Sequence, residues 1–180
     1  MRLPPVLSRY ELPLPELGAL LLDGEAYRVD DCVSPIDEVP GPIQRAAALA
    51  AQLPSRVIAE QHSAAWIWGA QPLPPPRHEV CTDITARTRP APGALLSLRE
   101  VVLLHEDTTV LAGLSVTTPM RTVIDLTRFV ASWNEAETHI IRELIALGGF
   151  GILDCARAMN RRRNLPNKRI ALERLAASER

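Results

Sequence analysis

The chain has 180 residues, 20 Lys and Arg against 21 Asp and Glu for a net charge of −1, and 47% hydrophobic residues. A domain of this size can bury about 70% of its unfolded surface, so a core needs neither disulfides nor a structural metal. Cys32, Cys81 and Cys155 are odd in number and form no CxxC pair, which excludes a disulfide framework or zinc ribbon and suits a reducing cytosol. MRLPPVLSRY lacks the apolar stretch of a signal peptide and no run approaches the length of a membrane span, so a cytoplasmic protein is expected.

Proline marks the joints. PLPELGALLLDG predicts a short helix from about Pro15 to Leu22, stopped by Gly24, and AYRV and CVSPI, separated by Asp30 and Asp31, predict a hairpin. Pro42 opens a helix through IQRAAALAAQL that ends before Pro54. After the extended VIA, QHSAAWIWG predicts a second short helix capped by Gly69, and QPLPPPR over 71–77 is an extended connector because successive prolines supply no ladder donors. From His78 the pattern turns to strands, HEVCTDIT, REVVLLHE, TTVLAG and LSVTT, with the loop TRPAPG between the first two. A helix follows at MRTVIDLTRFV, with Thr118 as N-cap and Pro119 at its first position. Ser132 and Glu135 suggest a capping box for the next helix, WNEAETHIIRELIALGG, and two more helices follow around ILDCARAMNRR and NKRIALERLAAS.

Strand runs followed by helices without alternation predict an α+β fold. A small winged-helix-like part, a helix followed by a hairpin, is expected over residues 1–70. A mixed strand-then-helix domain with a basic helical C-terminus is expected over 71–180.

Several chemistries are missing at the level of residue type. Of the 20 basic residues 19 are Arg, and Lys168 follows no glycine loop, so no phosphate-cradling loop and no Schiff-base lysine can be read. His62, His78, His105 and His139 have no metal-ligand spacing, and His78 and His105, each followed by Glu, are expected at a surface or interface. There is no GxSxG elbow, no cysteine sits in an activating motif, and GGFG at 148–151 reads as a helix stop. No cofactor and no metal is therefore expected. An enzyme, for instance a nuclease built from Glu79, Asp83, Glu100 and Glu106, is weakened by the lack of any ExK neighbour. Tryptophans favour binding hot spots, but core packing is the ordinary use of Trp66, Trp68 and Trp133; with i,i+2 spacing the first two cannot share one helix face.

Charge is distributed unevenly. Residues 1–40 carry three Arg and eight acids, whereas 151–180 carry eight basic residues and three acids. An anionic partner such as promoter DNA is expected at Arg161, Arg162, Arg163, Lys168 and Arg169, although the same run also suits the solvated C-terminal end of a helix.

The phrase GLSVTTPMRTVIDLTRF, residues 113–129, is physically complete by itself. A strand enters, Thr118 and Pro119 start a helix, Val123, Ile124 and Leu126 supply apolar contact, and Arg121 lies one turn from Asp125. Exposed, that i,i+4 pair contributes only a few tenths of a kcal/mol, and a structural role is expected for all four of Thr118, Pro119, Arg121 and Asp125. The same phrase resembles the signature of AbiEi-type antitoxins of type IV toxin-antitoxin systems. HSAAWIWGA, GEAYRVDDCVSPI and REVVLLHEDTTVLAGLSVTT are similar to further segments of that family, in its order, over roughly residues 15–150.

The resemblance implies an antitoxin that is not an enzyme. In such a protein an N-terminal winged-helix unit binds the promoter, and a C-terminal domain neutralises a nucleotidyltransferase toxin encoded alongside. The chain departs from the pattern in having few residues ahead of Pro15, where a recognition helix is expected. It also carries Asp30 and Asp31 where the wing is usually basic, the wrong sign for contacting phosphates. The alternative is a DNA-binding repressor without antitoxin activity, acting through the C-terminal arginines.

Overall fold

The computed structural model describes residues 4–54, 56–84 and 96–178, and the TRPAPG loop lies outside them. Helix α1 (Leu14–Leu22) has Pro15 and Glu16 in its first turn, where a missing N–H is harmless and a carboxylate meets the positive end of the dipole. Gly24, at φ +72°, turns the chain into β1 (Ala26–Val29), which pairs antiparallel with β2 (Cys32–Pro35). Leu7 adds a bridge on the other side of β2, exchanging hydrogen bonds of 2.7 and 3.0 Å with Val33. Alternation along the hairpin separates two faces. Ala26 and Val33 pack with Leu7 and Leu17, while Val29 and Cys32 face a larger cluster that includes Leu49, Ala59 and Ile67.

Helix α2 (Pro42–Ala50) buries Ala46, Ala48 and Leu49 in that cluster. Next come β3 (Ile58–Ala59) and α3 (Gln61–Trp68), whose end is fixed by Gly69 at φ +93° with its N–H on the Trp66 carbonyl. The remaining strands are β4 (His78–Asp83), β5 (Leu96–Val101), β6 (Thr108–Leu111) and β7 (Leu114–Thr117). A 3₁₀ turn, His105–Asp107, separates β5 from β6. Helices α4 (Pro119–Phe129), α5 (Glu135–Gly148), α6 (Ile152–Arg161) and α7 (Lys168–Ser178) close the chain.

Five strands make one sheet in the order β5-β4-β3-β7-β6. Pairs β4/β5 and β3/β7 are parallel, whereas β3/β4 and β6/β7 are antiparallel. With the hairpin as a second sheet and seven α-helices among the described residues, the fold is α+β, as the clustering of strands predicts. The middle strand is the shortest: Ala59 registers with Val80 and Val116, and all three are fully buried, which is why VIA is apolar at successive positions. Beneath the sheet, Val123, Leu126, Ile141, Leu144, Met159 and Leu175 join α4–α7 in a second cluster. Helix α3 serves both clusters, with Ile67 in the first and Ala65 in the second. Trp66 is buried, while half-buried Trp68 donates from Nε1 to the Thr117 carbonyl at 2.9 Å, so the two rings do lie on different faces.

Two local expectations are corrected. Strand β5 covers LSLREV rather than REVVLLHE, because β4 ends at Asp83 opposite Val101 and leaves Val102–Leu104 without a ladder partner. The cap of α5 is Asn134, not Ser132: extended Asn134 accepts from the Glu137 N–H at 3.1 Å, two residues later than the proposed box.

Asp30 ties the hairpin to the sheet. Its carboxylate accepts from Gln52 Nε2 at 2.6 Å and meets His78 Nε2 at 3.0 Å, while its backbone holds φ +55°. Burial, which by itself raises a carboxyl pKa, is outweighed by the bonds to His78 and Gln52, so Asp30 stays below its ordinary value. Asp30→Ala removes a charged acceptor and strains a left-handed residue, and is expected to lower the unfolding free energy by about 1.5–3 kcal/mol. Asp30→Gly relieves the backbone part alone, so urea denaturation midpoints should fall in the order wild type, Gly, Ala.

Candidate functional site

A group of ion pairs lies largely buried around α4. Pro119 has no N–H to leave unpaired at the first position of α4, and Thr118 Oγ1 accepts from the Arg121 N–H at 3.4 Å. Helical spacing then stacks Arg121 on Asp125, with Nε donating to Oδ2 at 2.7 Å and the two side chains only 4% and 1% exposed. Arg128 reaches the other carboxylate oxygen at 3.0 Å, and Arg99 from β5 stands 3.9 Å from Asp125.

Two further carboxylates complete the group. Fully buried Glu60, the residue ahead of α3, receives a forked bond from Arg99 at 2.6 and 2.5 Å. Asp107 accepts from Arg121 Nη1 at 2.6 Å, from the Leu104 N–H at 2.9 Å and from Arg162 Nη2. Its backbone carbonyl takes the Thr118 N–H at 2.9 Å, so one residue clamps the 3₁₀ turn, the start of α4 and the end of α6. The Arg99 and Arg128 guanidinium carbons lie 4.2 and 4.4 Å from the Phe129 ring centre, which adds cation–π attraction where water is scarce. Four arginines thus face three carboxylates. Burial disfavours every one of these charges, yet Asp125 and Asp107 hold the Arg121 pKa above its ordinary value, and Arg162 and Arg121 hold Asp107 below its own.

The basic run at the C-terminal end is divided by this network. Arg162 turns inward to Asp107, whereas Arg161, Arg163 and Arg169 are exposed and Lys168 is half-buried at the start of α7. Arg169 faces Glu173 at 3.3 Å on the surface. Arg174, nearby in sequence, instead lies over Trp133 and bonds the Thr127 carbonyl at 2.9 Å, fastening α7 to α4.

Glu60, Asp107, Arg99 and Arg128 were not legible as partners of Arg121 and Asp125. The available signals were a lone acid between VIA and a helix, an acid beside a threonine pair, and the TRF ending of the long motif. Separation along the chain hid them: Glu60 and Arg99 are 39 positions apart, and Asp107 and Arg162 are 55.

His78 corrects an expectation, being only 8% exposed. It sits between Ser63 Oγ at 3.1 Å and Asp30 at 3.0 Å. Of the acids considered for a nuclease, Glu79 is bound to His62, Asp83 accepts from the Leu103 N–H at 3.4 Å, and Glu106 stands in the 3₁₀ turn. Among the described residues no group of three or more His, Cys, Asp and Glu side chains could hold a metal ion. Burial pushes the thiols up, Cys32 to about 11 and Cys155 to about 12, with Cys81 also raised, so none is poised as a nucleophile near neutral pH.

Beside the ion network, between α4 and α6, lies an open cleft of about 470 Å³. Leu104, Met120, Phe150 and Ala158 give it an apolar lining, and Arg161, Arg162 and Glu106 bring charge to it. A second hollow of about 450 Å³ lies between the hairpin, α2 and the proline connector, around Tyr27, Arg45 and Leu73.

Arg121→Ala leaves Asp107 and Asp125 short of a buried partner and is expected to destabilise the fold by about 3–5 kcal/mol, whereas exposed Arg161→Ala should change it by less than about 0.5 kcal/mol. Chemical denaturation of both variants checks this contrast. A separate test concerns His62, whose Nδ1 meets Glu79 at 2.9 Å and whose Nε2 meets Glu137 at 3.1 Å. Burial lowers its pKa, but the two carboxylates more than compensate and raise it from 6.5 to about 10. Because the folded value is the higher one, this stabilisation is complete below pH 6.5 and fades as pH rises to about 10. Glu137→Gln should lower the His62 pKa measured by NMR titration and flatten the decline of stability between those pH values.

Comparison with known proteins bears on what this arrangement serves. No curated protein sequence matches the chain. Among solved structures, that of the RV2827C protein from Mycobacterium tuberculosis is similar at 14% identity and a TM-score of 0.39, covering 97% of this chain and 75% of that one. The family model described as the AbiEi antitoxin C-terminal domain matches residues 57–146, half of the chain, from the lead into β3 to the end of α5. That span contains β3, the whole Arg121–Asp125 motif and every acid of the buried network, and the chain belongs to the AbiEi antitoxin family.

Proposed function

We propose that this chain is the antitoxin of a type IV toxin-antitoxin system and neutralises a cognate nucleotidyltransferase toxin encoded beside it, without catalysis of its own. The observation that carries the reading is the family match over 57–146, which coincides with the part of the fold held by the buried arginine–carboxylate network. The raised thiol pKa values and the saturation of Asp107 and Asp125 by arginines favour a binding role, because they leave these groups with neither nucleophile nor free base to offer. Action in the cytoplasm accords with this reading, and among the described residues no helix is long and apolar enough to cross a membrane.

Promoter autoregulation is the second part of the proposal. Exposed Arg161, Arg163 and Arg169 offer positive charge to phosphates. At the other end, α1 and the hairpin have the order of the end of a winged-helix unit. Asp30 is turned inward to His78 and Gln52, so of the acidic pair at the tip only Asp31 is exposed. We assign residues 1–70 to a shortened winged-helix-like part and 71–180 to the antitoxin domain, whose basic C-terminal end supplies the phosphate contacts. A repressor lacking antitoxin activity is the alternative, and the same arginines would serve it.

Co-expression separates these readings. Growth arrest caused by the neighbouring toxin should be relieved by the wild-type chain and by an Arg161→Ala, Arg163→Ala, Arg169→Ala variant. Arg162 is left in place in that variant because it holds Asp107. The same variant should bind promoter DNA more weakly on all sequences and with a shallower salt dependence, since phosphate contacts carry no base information. Absence of rescue by the wild-type chain at matched expression would sink the antitoxin reading and leave the repressor.

A further inference from the structure

We propose that the hollow between the hairpin, α2 and the proline connector is a binding site for a small organic anion, a carboxylate or phosphate borne on an apolar, ring-sized body. The inference is independent of the antitoxin reading.

Three observations carry it. The first is an arginine without an acid. Arg99, Arg121, Arg128 and Arg162 each face a carboxylate, but half-buried Arg45, on the wall of the hollow, does not. Its Nη1 donates to the Trp66 carbonyl at 2.6 Å, and its guanidinium carbon lies 5.9 Å from the Trp66 ring centre. A carbonyl and a ring face offer partial charges only, whereas burial acts on a full one and holds the Arg45 pKa below its ordinary value. The other donors of its planar fork have no acceptor among the described residues, and such a fork matches two oxygens of a carboxylate or phosphate. The bond to Trp66, at the end of α3, fixes the guanidinium in place before any ligand arrives.

The second is the balance of charge. Arg28, also on the lining, is exposed and has no ion pair among the described residues. The acid on the lining is Asp30, whose carboxylate is engaged by Gln52 at 2.6 Å and His78 at 3.0 Å. Glu38 accepts from Gln44 Nε2 at 3.4 Å and is not on the lining. An anion entering the hollow therefore meets two guanidinium groups and one carboxylate already engaged elsewhere.

The third is shape. A hollow of about 450 Å³ has room for one ring with its charged substituent. Tyr27, Pro40, Pro72, Leu73 and Pro74 give it apolar surface, and Leu73 is 72% exposed, so a ligand body has something to cover. The prolines have fixed φ, and the Tyr27 hydroxyl donates to the Glu38 carbonyl at 3.3 Å. A wall already shaped in the free protein loses little ordering entropy on binding.

The test uses the full chain, with benzoate, phenyl phosphate, benzamide and inorganic phosphate as probes, read by calorimetry and by amide shifts in NMR spectra. Benzoate or phenyl phosphate should bind saturably with shifts centred on Tyr27, Arg45 and Leu73, and the tighter of the two identifies the charged group. Benzamide, which lacks the charge, and inorganic phosphate, which lacks the body, should each bind at least about tenfold more weakly. Arg28→Gln and Leu73→Glu, both at exposed positions, should keep the wild-type melting midpoint and weaken binding about threefold or more. Arg45→Gln should weaken it about tenfold or more, and the distant Arg169→Gln not at all. Arg45→Gln also gives up the bond to the Trp66 carbonyl, so where it melts lower the two rim variants decide. Absence of saturable binding up to about 10 mM overturns the proposal. So does benzamide binding as tightly as benzoate, inorganic phosphate as tightly as phenyl phosphate, wild-type affinity in both rim variants, or shifts centred on Arg161, Arg163 and Arg169 instead.

Discussion

Asp125 is the residue on which the rest of the C-terminal structure depends. It is fully buried, and a carboxylate there is tolerable only because Arg121 and Arg128 each occupy one of its oxygens and Arg99 stands close by. Each of those arginines has a second obligation. Arg121 must also reach Asp107, Arg99 must also hold Glu60, and Arg128 bonds the Pro166 carbonyl at 2.9 Å, so one desolvated charge fixes β5, α3, α4 and the approach to α7 relative to one another. Buried ion networks contribute little net stability against well-packed apolar side chains of the same volume. Their effect is on uniqueness, since any other arrangement strands a charge in the core.

The same logic, at smaller scale, joins the N-terminal hairpin to the sheet. Asp30, His78 and Ser63 form a chain of polar contacts from the hairpin tip to the first residue of β4 and into α3, and Ser63 also takes the Glu79 N–H at 2.8 Å. One position earlier in α3, His62 bridges Glu79 and Glu137 and so connects β4 to α5. Helix α3, at eight residues, is too short to be stable alone, and its place is set by these side-chain ties and by its position between two apolar clusters.

The seven charged side chains of the network neutralise one another largely inside, while Arg161, Arg163 and Arg169 project from the surface.

Much of the local structure was determined by the sequence alone. Proline and glycine positions set the ends of α1, α2, α3 and α4, because these residues restrict or free the backbone wherever they stand. β-Branched runs marked the strands, and the long motif marked both the family and the helix that carries it. Where two local signals competed, tertiary structure chose: Asn134 displaced Ser132 as a cap, and β5 ended where its partner strand ended. What only the tertiary structure decided was the meaning of the charges. Arg121 and Asp125 form a weak surface pair or an indispensable buried one depending on what covers them, and the cover comes from Arg99, Asp107 and Arg162, far away in the chain. Arg162 and Arg163 are adjacent and chemically identical, yet one is an internal strut and the other faces solvent, because a single residue's rotation at the end of α6 aims only the first at Asp107. Local sequence specifies backbone preferences over a few residues; the free energy of a charge is specified by everything within several ångströms of it, and that neighbourhood exists only once the chain has folded.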